Sequence, residues 1–136
     1  MDDIILNKAA TIERCLQRTR EEYIGFENEF NNNYTKQDSI VLNIQRACEA
    51  AIDAATHLIR IKSLGVPQTS REVFVLLENA KIISPDISKK LQAMVGFRNI
   101  AVHNYTKLNL EIVRSIVENE LGVFLEFNQC ILRIKS

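Results

Sequence analysis

Apolar residues in the first thirty positions recur in alternating steps of four and three, which is the spacing of one face of an α-helix. The stripe consists of Ile5, Ala9, Ile12, Leu16, Thr19, Tyr23, Phe26 and Phe30. Three asparagines follow it directly, and asparagine favours turns because its side chain competes for nearby backbone groups. The pattern predicts one long first helix that ends near residue 30 and a connector over about 31–37.

A second helical stripe predicts a helix over roughly 39–63, with Asp38 or Ser39 as its N-cap and Pro67 beyond its end. This helix is rich in alanine, at positions 47, 50, 51, 54 and 55. Small side chains let a neighbouring helix approach closely, either within a bundle or at a subunit contact. Packing within the chain is the more frequent use, so we expect this helix to lie inside the bundle.

Helix-start signals mark the rest of the chain. Thr69 with Glu72 resembles a capping box before a short third helix, and Ser84-Pro85 starts a fourth helix that runs toward Arg98. Asn109 can cap a fifth helix over about 110–134.

No segment alternates with the period of two that marks a β-strand, and glycine occurs only four times. The chain has 136 residues, of which 46% are hydrophobic, and this is enough to fill one core. We therefore predict an all-α protein, a single domain over 1–136, folded as an up-and-down bundle of about five helices.

The charges of seventeen basic and seventeen acidic residues cancel, which excludes the uniformly basic surface of a protein that binds nucleic acid constitutively. One segment, 81–107, nevertheless carries five basic residues and one acidic residue. The basic residues are Lys81, Lys89, Lys90, Arg98 and Lys107. This local excess either holds a phosphate or is simply a solvated helix face.

The three cysteines are widely spaced and odd in number, so the sequence predicts reduced thiols and no zinc site. No known metal-binding motif occurs, and no run approaches the roughly 20 apolar residues of a membrane span. Because Met1 is followed by two aspartates and not by a basic and apolar leader, we expect a cytoplasmic protein with no membrane partner. His57 lies between apolar positions of helix two and is interpreted as structural.

Polar side chains crowd the interval from Arg98 to Tyr105, where they interrupt an apolar run. A guanidinium, two amides, an imidazole and a phenol occur within eight residues. Buried polar groups need partners, so the cluster is either a network that caps a helix end or a site for a ligand.

Helical geometry separates the guanidinium and the imidazole of this cluster. At 100° per residue, Arg98 and His103 lie about 140° apart around an ideal helix. Either the helix ends between them, or each meets the corresponding residues of a second copy across a symmetric contact.

An imidazole that titrates near neutral pH can take the proton of a ribose 2′-hydroxyl, while a guanidinium holds the phosphate as charge develops on it. This chemistry cleaves RNA without a metal and leaves a 2′,3′-cyclic phosphate and a 5′-hydroxyl.

Arg98, His103 and Tyr105 follow one another with four residues and then one residue between them. This order, with Met-Val-Gly-Phe before Arg98 and Asn99 directly after it, resembles the Rx4HxY motif of HEPN-domain proteins, particularly the HepT-type toxins. The order of predicted helices is similar over nearly the whole chain. Asn104 departs from the many family members that carry an acidic residue there, and we expect it to tune local charge.

The resemblance implies a metal-independent endoribonuclease, the toxin of a toxin–antitoxin pair, with no cofactor and with an active site composed across a homodimer. It assigns Arg98 and His103 as catalytic, and Asn99 and Tyr105 as supporting residues. It also implies a minimal nucleotidyltransferase antitoxin that transfers AMP to Tyr105. A phosphate and a bulky nucleoside added there would block the RNA site.

Two other functions are compatible with the same residues. In one, the pocket is not catalytic and holds a nucleotide or docks a nucleotidyltransferase as its regulatory subunit. In the other, the chain is a helical oligomerisation protein whose polar cluster only seals a helix end. Replacing His103 with alanine abolishes RNA cleavage if the chain is the enzyme, but leaves partner or nucleotide binding intact if it is the binding module. In the oligomerisation protein, the same substitution lowers the melting temperature.

Overall fold

The computed structural model describes residues 2–134, and within them every regular element is helical. The α-helices are α1 (Asp3–Tyr23), α2 (Tyr34–Lys62), α3 (Glu72–Asn79), α4 (Pro85–His103), α5 (Leu110–Ser115) and α6 (Gly122–Leu132). The all-α fold is as predicted. Within this range, no helix is both long and apolar enough to cross a membrane.

The first helix is shorter than its apolar stripe. It begins at an Asp2 N-cap, whose carboxylate accepts from the amides of Ile4 and Ile5, and it ends at Tyr23 and not near residue 30. Ile24 is extended and Gly25 takes φ +87°, a left-handed conformation that glycine adopts without steric cost. The predicted end is therefore wrong, because the hydrophobic spacing continues past the residue that breaks the helix.

The last two aromatic residues of the stripe are used in the connector. Phe30 is buried in a short 3-10 turn, and Gln37 donates its side-chain amide to the Phe30 carbonyl at 2.7 Å. Phe26 is exposed, with the Lys36 ammonium 3.7 Å from its ring centroid. Asn33, and not Asp38 or Ser39, caps α2 by accepting from the Lys36 amide. The connector is thus shifted toward the N-terminus, and α2 starts earlier than predicted.

Helix α2 is the central element, packed against α1, α3, α4 and α6. Its five alanines are all buried, at positions 47, 50, 51, 54 and 55. The expectation that this helix packs inside the bundle is confirmed. Its partly buried His57 lies 2.6 Å from the carboxylate of Asp2, so the imidazole joins α2 to the start of α1.

Side-chain hydrogen bonds precede α3, α4 and α5, but α3 begins only at Glu72, after an Arg71 N-cap that makes no side-chain bond, so Thr69 is not its N-cap. Glu72 donates its amide to the Thr69 hydroxyl at 3.2 Å, and Ser84 accepts from the amide of Ile87 at 3.1 Å before Pro85 opens α4. Asn109 accepts from the Glu111 amide at 2.8 Å.

The last helical segment is not one continuous helix. A π-helical turn, Ile116–Glu120, separates α5 from α6, which ends at Leu132. Glu118 on this turn accepts from the phenol of Tyr23, which in turn accepts from Arg114 at 2.8 Å. This partly buried contact to α1 holds the widened turn, and Gly122, two residues beyond its end, has low helix propensity.

Enlarging an alanine at the centre of α2 should destabilise the bundle. Ala51 is fully buried, so Ala51→Leu has no room for its added carbons and is expected to lower the free energy of unfolding by about 1–3 kcal/mol. Ala10→Leu is the control, because Ala10 is exposed on α1 and its substitution should change stability by less than about 0.5 kcal/mol. Urea unfolding measures both, and equal stability of the two variants would contradict the central packing of α2.

Candidate active site

The predicted polar cluster lies at the C-terminal end of α4. The helix continues through both Arg98 and His103 and ends at His103, which is its last residue. The proposal that the helix ends between these two residues is therefore wrong. The two side chains leave the helix in different directions, and no hydrogen bond joins them in the part of the chain that the structure describes.

Arg98 is half-buried and points toward the segment that connects α2 to α3. Its Nη2 donates to the hydroxyl of Ser70 at 3.0 Å, and its Nε is buried without a hydrogen-bond partner among residues 2–134. In the same range no carboxylate forms an ion pair with it. A neutral hydroxyl thus orients the guanidinium and leaves its charge free for an anion.

The field of Arg98 also reaches a thiol inside the core. Burial raises the pKa of Cys48 to about 12, and the positive charge of Arg98 opposes this rise. None of the three cysteines forms a disulfide, in agreement with the prediction of reduced thiols.

His103 is exposed at the end of α4, and within the described chain its imidazole makes no hydrogen bond. Asn99 is also exposed on α4, one residue after Arg98. Its supporting role stays a prediction, since its side chain makes no hydrogen bond between residues 2 and 134.

Tyr105 lies just beyond α4 in a short 3-10 turn, Tyr105–Lys107. Its ring is 44% exposed, and its hydroxyl donates to a carboxylate oxygen of Asp38, 67 residues earlier on α2. The pKa of Tyr105 is raised to about 12, first by partial burial and then by the hydrogen bond to Asp38 and the charge of that carboxylate. The phenol is thus held neutral and in one place.

The structure adds two residues to the site that the sequence did not assign to it. Asp38 was predicted as a possible N-cap, but it orients Tyr105, and Ser70 orients Arg98. Asp38 could have been assigned to the site from the sequence only if Asn33 had been recognised as the N-cap of α2, because Asp38 then has no capping role. Nothing local to Ser70 marks it, because its partner lies 28 residues away in the chain.

The basic segment 81–107 does not form one cradle. Lys90 pairs with Asp86 at 3.2 Å, Arg98 points to Ser70, and Lys81 follows α3 in a left-handed conformation. Of the two interpretations of this segment, its four exposed lysines agree with a solvated helix face and not with one phosphate site formed by all five residues. No group of three potential metal ligands occurs in the described chain.

An apolar groove of about 480 Å³ lies beside the cluster, between α4 and α5. Phe97 and Met94 contribute to its wall, and two large side chains there are well exposed, Ile100 at 45% and Ile112 at 54%. Contiguous exposed apolar surface of this kind is typical of contacts between proteins.

The fold and the order of Arg98, His103 and Tyr105 together define the class, an all-helical protein of the HEPN type. Residues 11–131 match the family model described as Ribonuclease HepT-like. The chain belongs to this HepT-like ribonuclease family.

Two relatives illustrate the similarity in sequence. The mRNA nuclease HepT of Shewanella oneidensis is 49% identical over 127 residues, which cover 93% of this chain and 95% of the relative. The tRNA nuclease HepT of Aphanizomenon flos-aquae is 28% identical over 110 residues, which cover 72% and 75%. The family resemblance predicted from the motif is confirmed.

Solved structures show the same similarity in fold. The tri-AMPylated Shewanella oneidensis HEPN toxin in complex with MNT antitoxin has a TM-score of 0.94 and 47% identity, covering 98% of this chain and 100% of that one. A crystal structure of the toxin–antitoxin with AMP-PNP has a TM-score of 0.94 and 46% identity, with the same coverage. The described fold is therefore that of a HEPN toxin.

Removing the Asp38 carboxylate should lower the pKa of Tyr105 from about 12 toward the usual value near 10. Asp38→Asn removes the negative charge and the ionic hydrogen bond, while the partial burial of the ring remains. The pKa can be followed by NMR of isotope-labelled tyrosine, with Tyr105→Phe to assign the signal. Asp86→Asn removes an equivalent exposed carboxylate that lies on α4 and should leave the pKa of Tyr105 unchanged. An unaltered pKa in Asp38→Asn would contradict the observed contact.

Proposed function

We propose that this chain is the RNA-cleaving toxin of a toxin–antitoxin pair, a cytoplasmic endoribonuclease that uses Arg98 and His103. The observation that carries the proposal is the end of α4, where a guanidinium without an ion pair in residues 2–134 and an exposed imidazole lie five residues apart. Membership of the HepT-like ribonuclease family supports the same chemistry.

In this mechanism His103 takes the proton of a ribose 2′-hydroxyl, and the 2′-oxygen attacks the neighbouring phosphorus. The new 2′-oxygen–phosphorus bond forms as the bond to the 5′-oxygen breaks, and the leaving oxygen takes a proton from water. Arg98, which Ser70 holds in place, stabilises the charge that develops on the phosphate oxygens. The products are a 2′,3′-cyclic phosphate and a 5′-hydroxyl, and no metal takes part.

The active site is composed from two copies of the chain. Because Arg98 and His103 are about 140° apart on one continuous helix, a single chain does not direct both toward one phosphate. The apolar groove beside the cluster, with Ile100 and Ile112 exposed, offers a surface that a two-fold contact would bury. Such a contact brings two motifs face to face and supplies one Arg98 and one His103 to each phosphate from different subunits.

Neutralisation is proposed to occur at Tyr105, by AMP transfer from a minimal nucleotidyltransferase antitoxin. The similar Shewanella oneidensis toxin is described as tri-AMPylated and in complex with MNT antitoxin. In this chain, the Tyr105 side chain is 44% exposed in the turn that directly follows the helix carrying Arg98 and His103. An AMP group there adds negative charge and volume where the RNA phosphate must bind, so it excludes the substrate.

His103→Ala is expected to lower the rate of RNA cleavage by at least about 100-fold, since it removes the general base. The assay is cleavage of purified cellular RNA in the presence of a chelator, with the 2′,3′-cyclic phosphate ends identified. His57→Gln is the matched control because it removes the other imidazole, whose partner is Asp2, and should retain cleavage despite lower stability. If folded, unmodified wild type cuts no RNA, the enzyme is rejected in favour of a nucleotide-binding regulatory subunit.

Tyr105→Phe is expected to abolish the mass gain of AMP while RNA cleavage persists. The phenylalanine ring preserves the packing of the turn but has no oxygen to accept a phosphoryl group. The measurement is intact mass after incubation with the cognate nucleotidyltransferase and ATP, and Tyr34→Phe, at another exposed tyrosine, is the control that should still gain AMP. AMP found on Tyr105→Phe would exclude Tyr105 as the acceptor.

A further inference from the structure

A second candidate site lies between α1 and α2, away from the end of α4. A groove of about 300 Å³ runs between α1 and α2, and three guanidiniums border it. Arg14 and Arg18 come from adjacent turns of α1, and Arg46 comes from α2. Charge composition does not reveal this cluster, because residues 1–34 carry more acidic than basic side chains.

One buried thiol shows that the three positive charges converge. Cys15 lies in the floor of the groove and is 3% exposed. Burial raises its pKa, and the charges of Arg14, Arg46 and Arg18 each oppose that rise. All three guanidiniums are therefore within electrostatic reach of one point.

These positive charges are not neutralised by partners in the protein. Two carboxylates, Asp53 and Glu49, line the groove. Asp53 is occupied by an ion pair with Lys8 at 3.1 Å. Within residues 2–134 the three arginines make no ion pair and no side-chain hydrogen bond, so the groove keeps a net positive charge.

We propose that this groove binds the sugar–phosphate backbone of the RNA substrate outside the cleavage site. The inference rests on the proposed ribonuclease function and adds a substrate-binding surface to it. Guanidinium forks match phosphate oxygens in pairs, and side chains one turn apart, such as Arg14 and Arg18, are about 5–6 Å apart at Cβ. They can therefore hold neighbouring phosphates of one strand.

The position of the groove agrees with a single continuous strand. Arg46 follows Asp38, the partner of Tyr105, by eight residues on α2, which is about 12 Å along the helix. RNA leaving the end of α4 can thus reach the groove within a few nucleotides.

The lining of the groove favours nucleic acid over an acidic protein segment. Its uncharged polar residues, Thr11 and Asn43, suit ribose and phosphate oxygens. Its apolar residues, Cys15 and Ala50, are buried and small, so they offer no anchor for the apolar side chains of a partner helix.

The test removes the three charges together, as Arg14→Ala/Arg18→Ala/Arg46→Ala. The probe is a single-stranded RNA oligonucleotide, and its affinity is measured over a series of salt concentrations with all proteins carrying His103→Ala, so that the probe stays intact. We expect affinity at low salt to fall at least about tenfold and the slope of log affinity against log salt to decrease by about 2. The control Arg60→Ala/Lys62→Ala/Arg133→Ala removes the same charge from exposed positions outside the groove and should change neither quantity.

A cleavage assay in otherwise wild-type protein separates the groove from the active site. The groove variant should cut a dinucleotide at the wild-type rate, because that substrate does not reach α1, but should show a raised KM for long RNA. Arg14→Lys/Arg18→Lys/Arg46→Lys keeps the charges and should retain the salt slope.

Equal affinity of the groove variant and wild type, or an equal loss in the control, overturns the inference even if His103 remains essential for cleavage. Loss of antitoxin binding with unchanged RNA affinity would instead assign the groove to a protein partner. Failure of the wild type to cut any RNA would reject the proposed function and is seen without the groove variants.

Discussion

Close packing around α2 is the constraint on which the rest of the structure depends. Its buried alanines give this helix a thin profile, so four other helices contact it. Helix α4 is one of them, and it is further fixed by the hydroxyl of Ser88, which donates to the Phe74 carbonyl of α3 at 3.2 Å. The end of α4, and with it the catalytic residues proposed here, is thereby held at a set place on the bundle.

The same central helix organises both polar surfaces. Asp38, near its start, accepts from the Tyr105 phenol, and Arg46, farther along, borders the basic groove. A rigid helix keeps these two points about 12 Å apart along its axis. If both contact one RNA, α2 sets the distance between the position that is cut and the position that is held.

Polar contacts between residues far apart in the chain fix the orientation of side chains that the apolar packing does not fix. Ser70 orients Arg98 without neutralising it, and Asp38 holds Tyr105 as a neutral phenol. Near the start of α2, Glu118 and Arg114 join the end of α1 to the final helical segment through Tyr23. In each case a charged or hydroxyl-bearing side chain forms a hydrogen bond with a residue far away in the chain. These hydrogen bonds determine which polar groups remain available to a ligand.

The sequence by itself determined the all-helical class, the caps at Ser84 and Asn109, and the Arg98, His103, Tyr105 motif, because these depend on residues close together in the chain. It misplaced the end of α1, since hydrophobic spacing continues through Phe30 although Gly25 breaks the helix. Counting charges along the chain also does not reveal the three arginines around the groove between α1 and α2, because two different helices contribute them. Only the tertiary structure brought Asp38 to Tyr105, Ser70 to Arg98, and Arg46 to the arginines of α1. The physical reason is that electrostatic and hydrogen-bonding partners are chosen by distance in space, which packing sets, and not by distance along the sequence.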